Sequence, residues 1–342
     1  MLLALTRGFI VSIFGTLEPD MMTMAQHFLL SAASRTLSLK EIYKGGEDAA
    51  YQTFRKVRWA ETNGAPVCSR CGCLDAYEIS TRRKFKCKGC SYQFSVTSGT
   101  IFASRKMAFV DLIAAICLIV NASKGLSMVQ ISRDLDCQYK TAFVLSHKIR
   151  EAMAMERPSQ PLEGDVEVDG MYHGGYVRPA NLKKDRVDRR LAEHQSGKRR
   201  VVVAFRQRKG RTLTFVANHE SEGVELAKQH VSRLAVMHAD EASHWDHLHD
   251  GWQVGRINHS EAYSTLESCT NQVESYFSRL RRMIRGQHHF VSGRYLFQYA
   301  NHAAWLEDNR RLSNGELAGR VAGLAMAHPV SRNWKGYWQR NA

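Results

Sequence analysis

Apolar residues recur along this chain in three rhythms. Met107 to Val120 is almost continuously apolar, interrupted by Asp111. At about fourteen residues it falls short of the roughly twenty needed to cross a bilayer, so it predicts a buried core helix. Beyond Gly125 the spacing becomes helical with one break. Ser127 can cap a short helix through Leu135, Asp136-Cys137-Gln138 reads as a tight turn, and Tyr139 starts a second helix. Val129, Ile131, Leu135, Ala142, Leu145 and Ile149 fall where they could share one core, and the second helix is expected to expose Gln138, Lys140, Thr141, Lys148 and Arg150. From about residue 164 alternation takes over. Gly164 to His173 predicts a strand with Val166 and Val168 on one face and Asp165, Glu167 and Asp169 on the other. Arg200–Phe205 and Thr212–Ala217 predict two more strands, Glu222–Leu234 a helix, Ala235–Asp240 a short strand ending on a carboxylate, and Gln272–Arg285 a basic amphipathic helix.

The cysteines sharpen this picture. Of eight, five crowd between Cys68 and Cys90, which is not the even framework of a secreted disulfide domain. Cys68-Ser-Arg-Cys71 and Cys87-Lys-Gly-Cys90 form two C-x2-C pairs about fifteen residues apart. Zn²⁺ is satisfied by four thiolates in a tetrahedron, and each pair delivers two sulfurs from one knuckle. The segment between them, with Thr81-Arg82-Arg83-Lys84 as its polar turn, predicts a hairpin that joins the knuckles, and Cys73 is a bystander. One structural zinc in a reduced, cytoplasmic protein is expected.

Charge then narrows the partners. Among 342 residues, 48 Lys+Arg against 33 Asp+Glu leave a net charge of +15. A surplus of that size points to a polyanion, and nucleic acid is the commonest. A membrane surface would need an amphipathic or spanning segment. The apolar start, Met1 to Phe14, has no basic residues ahead of it and carries Arg7 inside, so no signal peptide is expected there, and Met21, Met22 and Met24 offer later starts. Arg82, Arg83 and Lys84 of the hairpin and Gln138, Lys140, Thr141 and Lys148 of the second helix are the candidate DNA contacts, the helix being placed as in a helix-turn-helix.

The order strand, strand, strand, helix, strand, late helix matches an RNase H-like core, in which acids on the first strand, the fourth strand and a late helix converge. Two Mg²⁺ or Mn²⁺ ions need several hard oxygen ligands, and single carboxylates on adjacent strands can bridge them. Asp169, Asp240 and Glu274 are the candidates, with Asn271 competing for the third position, and Arg281 and Arg282 follow on the same helix as phosphate contacts. Within the first strand, Asp165 and Glu167 share the face of Asp169, so alternation alone does not single it out. Asp240 could equally cap the turn after it. His238, His244, His247 and His249 raise a histidine zinc hydrolase as a rival, though no H-E-x-x-H pair is present.

Taken together, Cys68 to Cys90, Gln93-Phe-Ser-Val-Thr-Ser-Gly-Thr-Ile-Phe102 and Tyr139-Lys-Thr-Ala142 resemble the N-terminal half of bacterial insertion-sequence transposases that carry a zinc ribbon, the ISXO2-like group related to the eukaryotic Merlin transposases. Val166-Glu-Val-Asp169 with Gly174-Gly175, His238-Ala-Asp240, and Thr270-Asn271-Gln-Val-Glu274 with Phe277-Ser-Arg-Leu-Arg281 resemble that family's DDE catalytic blocks, and Tyr299 through Asn309-Arg310-Arg311 its closing helix. The likeness spans roughly residues 40 to 312. It implies an acidic triad at Asp169, Asp240 and Glu274, separated by about 34 residues between the last two, with Asn271 an alternative third member, because the family tolerates Asn there. Gly170 departs from the pattern, standing where an acidic residue often follows the first Asp.

The resulting expectation is an α+β multidomain chain: an N-terminal extension over 1–40, a helical lead-in over 41–66, a zinc ribbon over 67–102, a helical, helix-turn-helix region over 103–156, an RNase H-like catalytic domain over 160–312 and a tail over 313–342. Its expected function is a DNA transposase that binds terminal inverted repeats and cuts and transfers strands, acting on double-stranded DNA in the cytoplasm near the nucleoid. A dimer is expected because two element ends must be paired. A DNA-binding regulator without cleavage, or a metal-dependent nuclease of the same fold without strand transfer, are the alternatives.

Overall fold

The computed structural model describes residues 27–157, 159–188, 191–194, 196–258 and 269–339, so the expectations for the first 26 residues, and part of the basic stretch before Arg200, lie outside the described residues. The chain divides into two compact units. One runs to Glu156 and regains the chain at Asn309; the other spans Arg157–Asp308.

The first unit opens with helix α1 (Leu39–Arg58). Ser38 accepts from the Glu41 N–H while the Glu41 carboxylate takes the Ser38 N–H, a reciprocal cap that satisfies two donors the helix start would leave bare. Gly46 at φ 72° breaks the helix within its first half, a backbone state that costs a glycine little. The zinc-ribbon segment forms a three-stranded antiparallel sheet, β1 (Ala76–Ile79), β2 (Lys84–Cys87) and β3 (Gln93–Phe94), in that order. Its core is aromatic: Phe85 lies 5.4 Å from Trp59 and 5.5 Å from Phe94, ring centre to ring centre.

Helix α2 (Phe109–Asn121) is the apolar run read from the sequence. Residues on nearly all its sides are buried, because it packs against both α1 and a late helix, α8 (Asn314–Ala327). Helices α3 (Met128–Asp134) and α4 (Tyr139–Ala154) follow, Ser127 capping α3 by accepting from Gln130 N–H, and Asp136 taking the left-handed conformation in the turn between them. Ile131, Ala142, Leu145 and Ile149 are buried as expected, but Val129 is 47% exposed. The opposite correction applies to Arg150, which is buried, as Ile149 and Ala152 of the same helix are, rather than presented to solvent.

Residues 313–339, expected as a tail, are part of this unit. Ser313 and Glu316 cap α8 reciprocally, and the Asn314 side chain accepts from the N–H groups of both Thr36 and Leu37. After α8 the chain returns to α4, where Trp334 stacks on His147 at 4.4 Å.

The second unit is a five-stranded sheet of order β6-β5-β4-β7-β8, built from β4 (Asp165–His173), β5 (Arg200–Gln207), β6 (Thr212–Ala217), β7 (Val236–Asp240) and β8 (Gln253–Ile257). The first three strands run antiparallel, while β7 and β8 lie parallel to β4 and to each other. Strand β8 was not legible: Gln253, Gly255 and Arg256 dilute its apolar alternation at the sheet edge. Helix α5 (Glu222–His230) ends sooner than its period suggested, since Val231 leaves it to bridge Leu162. Val166 and Val168 face a core with Val203, Phe205, Met237, Val224, Ala227 and Trp245. The opposite face of β4 turns toward α6 (Asn271–Met283), which packs on it and on α7 (Gly293–Asp308). This arrangement puts the acidic face of β4 inside the unit.

Candidate functional site

In the zinc ribbon the four predicted ligands meet. The Sγ atoms of Cys68, Cys71, Cys87 and Cys90 all lie within 4.8 Å of one another, Cys68 being 3.7 Å from Cys90 and Cys71 3.5 Å from Cys87. Each knuckle ends on a residue with positive φ, Gly72 at 74° and Ser91 at 57°, which folds the second cysteine of each pair back over the first. Gly72 N–H donates to the Cys68 carbonyl and Ser91 N–H to that of Cys87, so the two knuckles repeat one design. Four thiols converging this closely fit a structural Zn²⁺, and the set is closed, with no place for a reacting group. Cys73 stands outside it, contacting the Asp75 carbonyl.

The acidic site is assembled from the sheet and α6. The register places Glu167 beside His238 on parallel strands, and two residues further along each strand stand Asp169, in the middle of β4, and Asp240, the last residue of β7. Asp169 accepts from Gly170 N–H at 2.7 Å. Its carboxyl is pushed up to about 7, first by burial and then by the charges of Asp240, Glu220 and Glu274, against which the Gly170 N–H works. The charges that act on it most strongly are thus all negative. Asp240 accepts from Ala242 N–H at 3.2 Å, so it also shapes the turn that follows β7. Glu274, half-buried in the first turn of α6, receives the Thr270 hydroxyl at 2.8 Å. Asn271, the competing third residue, is exposed. The charges of Asp240 and Glu274 thus both act on Asp169, and so does that of Glu220, from the turn between β6 and α5, which was not foreseen. Its only signal was indirect: a glutamate flanked by polar residues at a helix start reads as surface.

The three acids of β4 differ in their partners. Glu167 is fully buried, takes the Arg208 guanidinium at 3.0 Å, and accepts from the N–H groups of Gln272 and Val273 at 2.8 and 3.0 Å. It thereby caps α6, whose first N–H groups lack partners within the helix. Asp165 pairs with His238 at 2.7 Å and is held below the ordinary carboxylate range by that hydrogen bond, the Arg208 charge adding to it. Both acids have positive partners, whereas the charges that raise Asp169 are those of other acids.

The histidines disperse in the same way. His238 belongs to Asp165, His244 lies 3.4 Å from Glu220, and His247 pairs with Asp250 in the solvent. Among the described residues the cysteine quartet is the only group of three or more metal-ligating side chains with ligand atoms within 4.8 Å of one another. No histidine cluster supports the zinc-hydrolase rival, and the carboxylates keep a wider spacing than the thiols.

Of the basic candidates, Arg82 and Lys84 are exposed on the ribbon, as are Gln138, Lys140 and Thr141 at the start of α4 and Arg281 and Arg282 on α6. Arg83 is instead spent within the unit, pairing with Glu47 and Asp48 and lying over the Tyr51 ring. Lys148 is half-buried, and burial lowers its ammonium pKa.

Comparison with known proteins agrees with this division. The profile described as the ISXO2-like transposase domain matches residues 161–308, and that described as the transposase zinc-ribbon domain matches residues 45–93. An "uncharacterized protein in transposable element ISH50" of Halobacterium salinarum is 21% identical over 258 residues, covering 70% of this chain and 83% of that protein. No solved structure matches. No described helix is long and apolar enough to cross a membrane.

Proposed function

Starting from a chain that belongs to the ISXO2-like insertion-sequence transposases with a zinc ribbon, we propose that it grips the terminal inverted repeats of its element and uses residues 157–308 as an RNase H-like DDE domain to cut and rejoin strands. The observation that carries this reading is the half-buried Asp169, whose carboxyl is raised to about 7 by burial and by the charges of Asp240, Glu220 and Glu274, on a strand whose other two acids have positive partners. Such a charge set is costly unless a cation joins it. Hard carboxylate oxygens suit Mg²⁺ or Mn²⁺, and Asp169, Asp240 and Glu274 would hold them.

Once bound, such ions supply Lewis-acid activation of the attacking oxygen and stabilise the leaving one. The chain's own residues do the rest. Glu167 and Arg208 pin the start of α6 to β4, which sets Glu274 opposite Asp169. The Thr270 hydroxyl orients the Glu274 carboxylate. Arg281 and Arg282, with the basic stretch over 181–211, hold phosphates of the strand being cut. Glu274 rather than Asn271 serves as third acid, because it is the one that Asp169 senses. The cysteine quartet keeps the ribbon folded, while α3 and α4 present Gln138, Lys140 and Thr141 to the major groove. Two copies of the chain pair the two element ends.

A strand-transfer assay with a pre-cut element end tests this. The wild-type protein joins that end to a second duplex in Mg²⁺ or Mn²⁺, and Asp169→Ala or Asp240→Ala abolishes joining while leaving end binding. Cutting without joining would leave a nuclease, and variants with full activity would leave a regulator. Affinity for DNA is expected to fall steeply with salt, since phosphate contacts release counterions.

A further inference from the structure

Glu220 is the one acid of the site that lacks an ordinary structural explanation. It is 7% exposed although His219 and Ser221 on either side are exposed. Its partners are the Tyr172 hydroxyl, which donates to it, and His244 Nε2 at 3.4 Å from Oε1. Glu167 shows what a buried glutamate takes when its role is structural: a guanidinium and two backbone N–H groups. Glu220 has neither.

Its position is set by a missing side chain. A Cβ on Gly170 would lie 2.8 Å from Glu220 Cγ and closer still to the carboxylate, so the carboxylate occupies the space above the residue next to Asp169. Glu220 thus comes to the residue next to Asp169 from the β6–α5 turn, a fourth element beside the β4, β7 and α6 that carry Asp169, Asp240 and Glu274. Two divalent ions want about six oxygens each, shared among carboxylates, water and substrate phosphates, so a further carboxylate has room to join.

We propose that Glu220 is a further oxygen donor of the divalent-cation site, admitted beside Asp169 by the absence of a side chain at Gly170. The proposal rests on the reading of Asp169, Asp240 and Glu274 as cation ligands.

The test is Mn²⁺ binding to the full-length, zinc-loaded protein, read from the loss of the free-ion electron paramagnetic resonance signal. Glu220→Gln is expected to weaken binding about tenfold or more. Gly170→Ala should act in the same direction, because its methyl group displaces the carboxylate. Glu225→Gln, on the exposed side of α5, should bind as wild type does. The metal-free melting temperature of Glu220→Gln should not fall, since the change removes one charge from a crowd of like charges.

Asp169→Asn separates the two ideas. If wild type and Asp169→Asn take up Mn²⁺ equally, the acidic triad itself is misread. If Asp169→Asn loses binding while Glu220→Gln keeps wild-type affinity, the triad stands and Glu220 is not a ligand. A lowered melting temperature with unchanged Mn²⁺ affinity overturns the proposal too, marking Glu220 as structural. A second measurement needs no variant: Fe²⁺ with ascorbate and peroxide should cut the wild-type backbone near 169–170, near 240 and near 219–221. Cuts at the first two places without the third count against the proposal.

Discussion

The cysteine quartet and the acidic site solve the same problem, gathering anionic ligands, by different means. In the ribbon, two stretches of four residues each fold their own pair of thiols, and one hairpin brings the pairs within 4.8 Å. In the second unit, each acid arrives alone on a separate element, and the group keeps a wider spacing around a carboxyl raised to about 7. The first arrangement is closed and makes metal part of folding. The second sits in a scaffold that folds around it, in which Arg208 pairs with Glu167 and His238 with Asp165. The cysteine pairs are built locally. The acids, each from a separate element, need a frame.

That contrast can be tested from its strongest consequence downward. Removing zinc by chelation, or by Cys87→Ser, should unfold the ribbon outright, because structural zinc contributes on the order of 10 kcal/mol to such a site. Amide exchange in β1 and β2 should rise to unprotected rates while β4 and β5 keep their protection. If β4 lost its protection equally, the two centres would not be independent.

Asp169→Asn and Asp240→Asn should lower strand transfer by about 10³-fold or more, the size of several kcal/mol of lost charge stabilisation. End binding in a gel-shift titration should change less than about twofold. A comparable loss of binding would place these acids in the DNA-gripping surface instead.

Glu167→Ala should cost about 3–5 kcal/mol in denaturant unfolding, since it strands Arg208 and uncaps α6. Glu167→Gln, which keeps an acceptor for the N–H groups, should cost less. Equal costs for the two would mean that capping contributes little.

The pH dependence of metal-free stability follows from Asp169. Its folded-state pKa is raised to about 7, so the folded protein binds that proton more tightly than the unfolded chain does. The contribution is fully present below about pH 4 and is lost as pH rises through 7, amounting to a few kcal/mol. The difference in melting temperature between wild type and Asp169→Asn should therefore widen across this window. Mn²⁺ should narrow it at the upper end.

The smallest effects concern the ribbon's charges. Arg82→Ala should reduce the slope of log affinity against log salt by about one and leave stability alone. Arg83→Ala should leave that slope unchanged and cost less than about 1 kcal/mol of stability, because its charge is already taken by Glu47 and Asp48.

The amino-acid sequence determined most of what is local. The C-x2-C spacing named the zinc ligands, because four of them need only two turns and a hairpin. Alternation marked β4, short apolar runs marked β5 to β7, and a longer one marked α2, because burial on one side or on all sides leaves its own pattern. Resemblance to the transposase blocks then picked Asp169, Asp240 and Glu274. Tertiary structure decided what periodicity cannot carry. Asp165, Glu167 and Asp169 share one face of one strand, and only partners drawn from β7, α6 and the turn after β5 separated two acids with positive partners from one on which other acids act. Glu220 and the pairing of Gly170 with it depended on a loop distant in sequence. Strand β8, the docking of α8 and the burial of Arg150 were likewise settled by neighbours. The physical reason is the same throughout: a residue's type and spacing state what it can bind, but whether a charge is paired, buried or left for a cation depends on groups that the folded chain brings beside it.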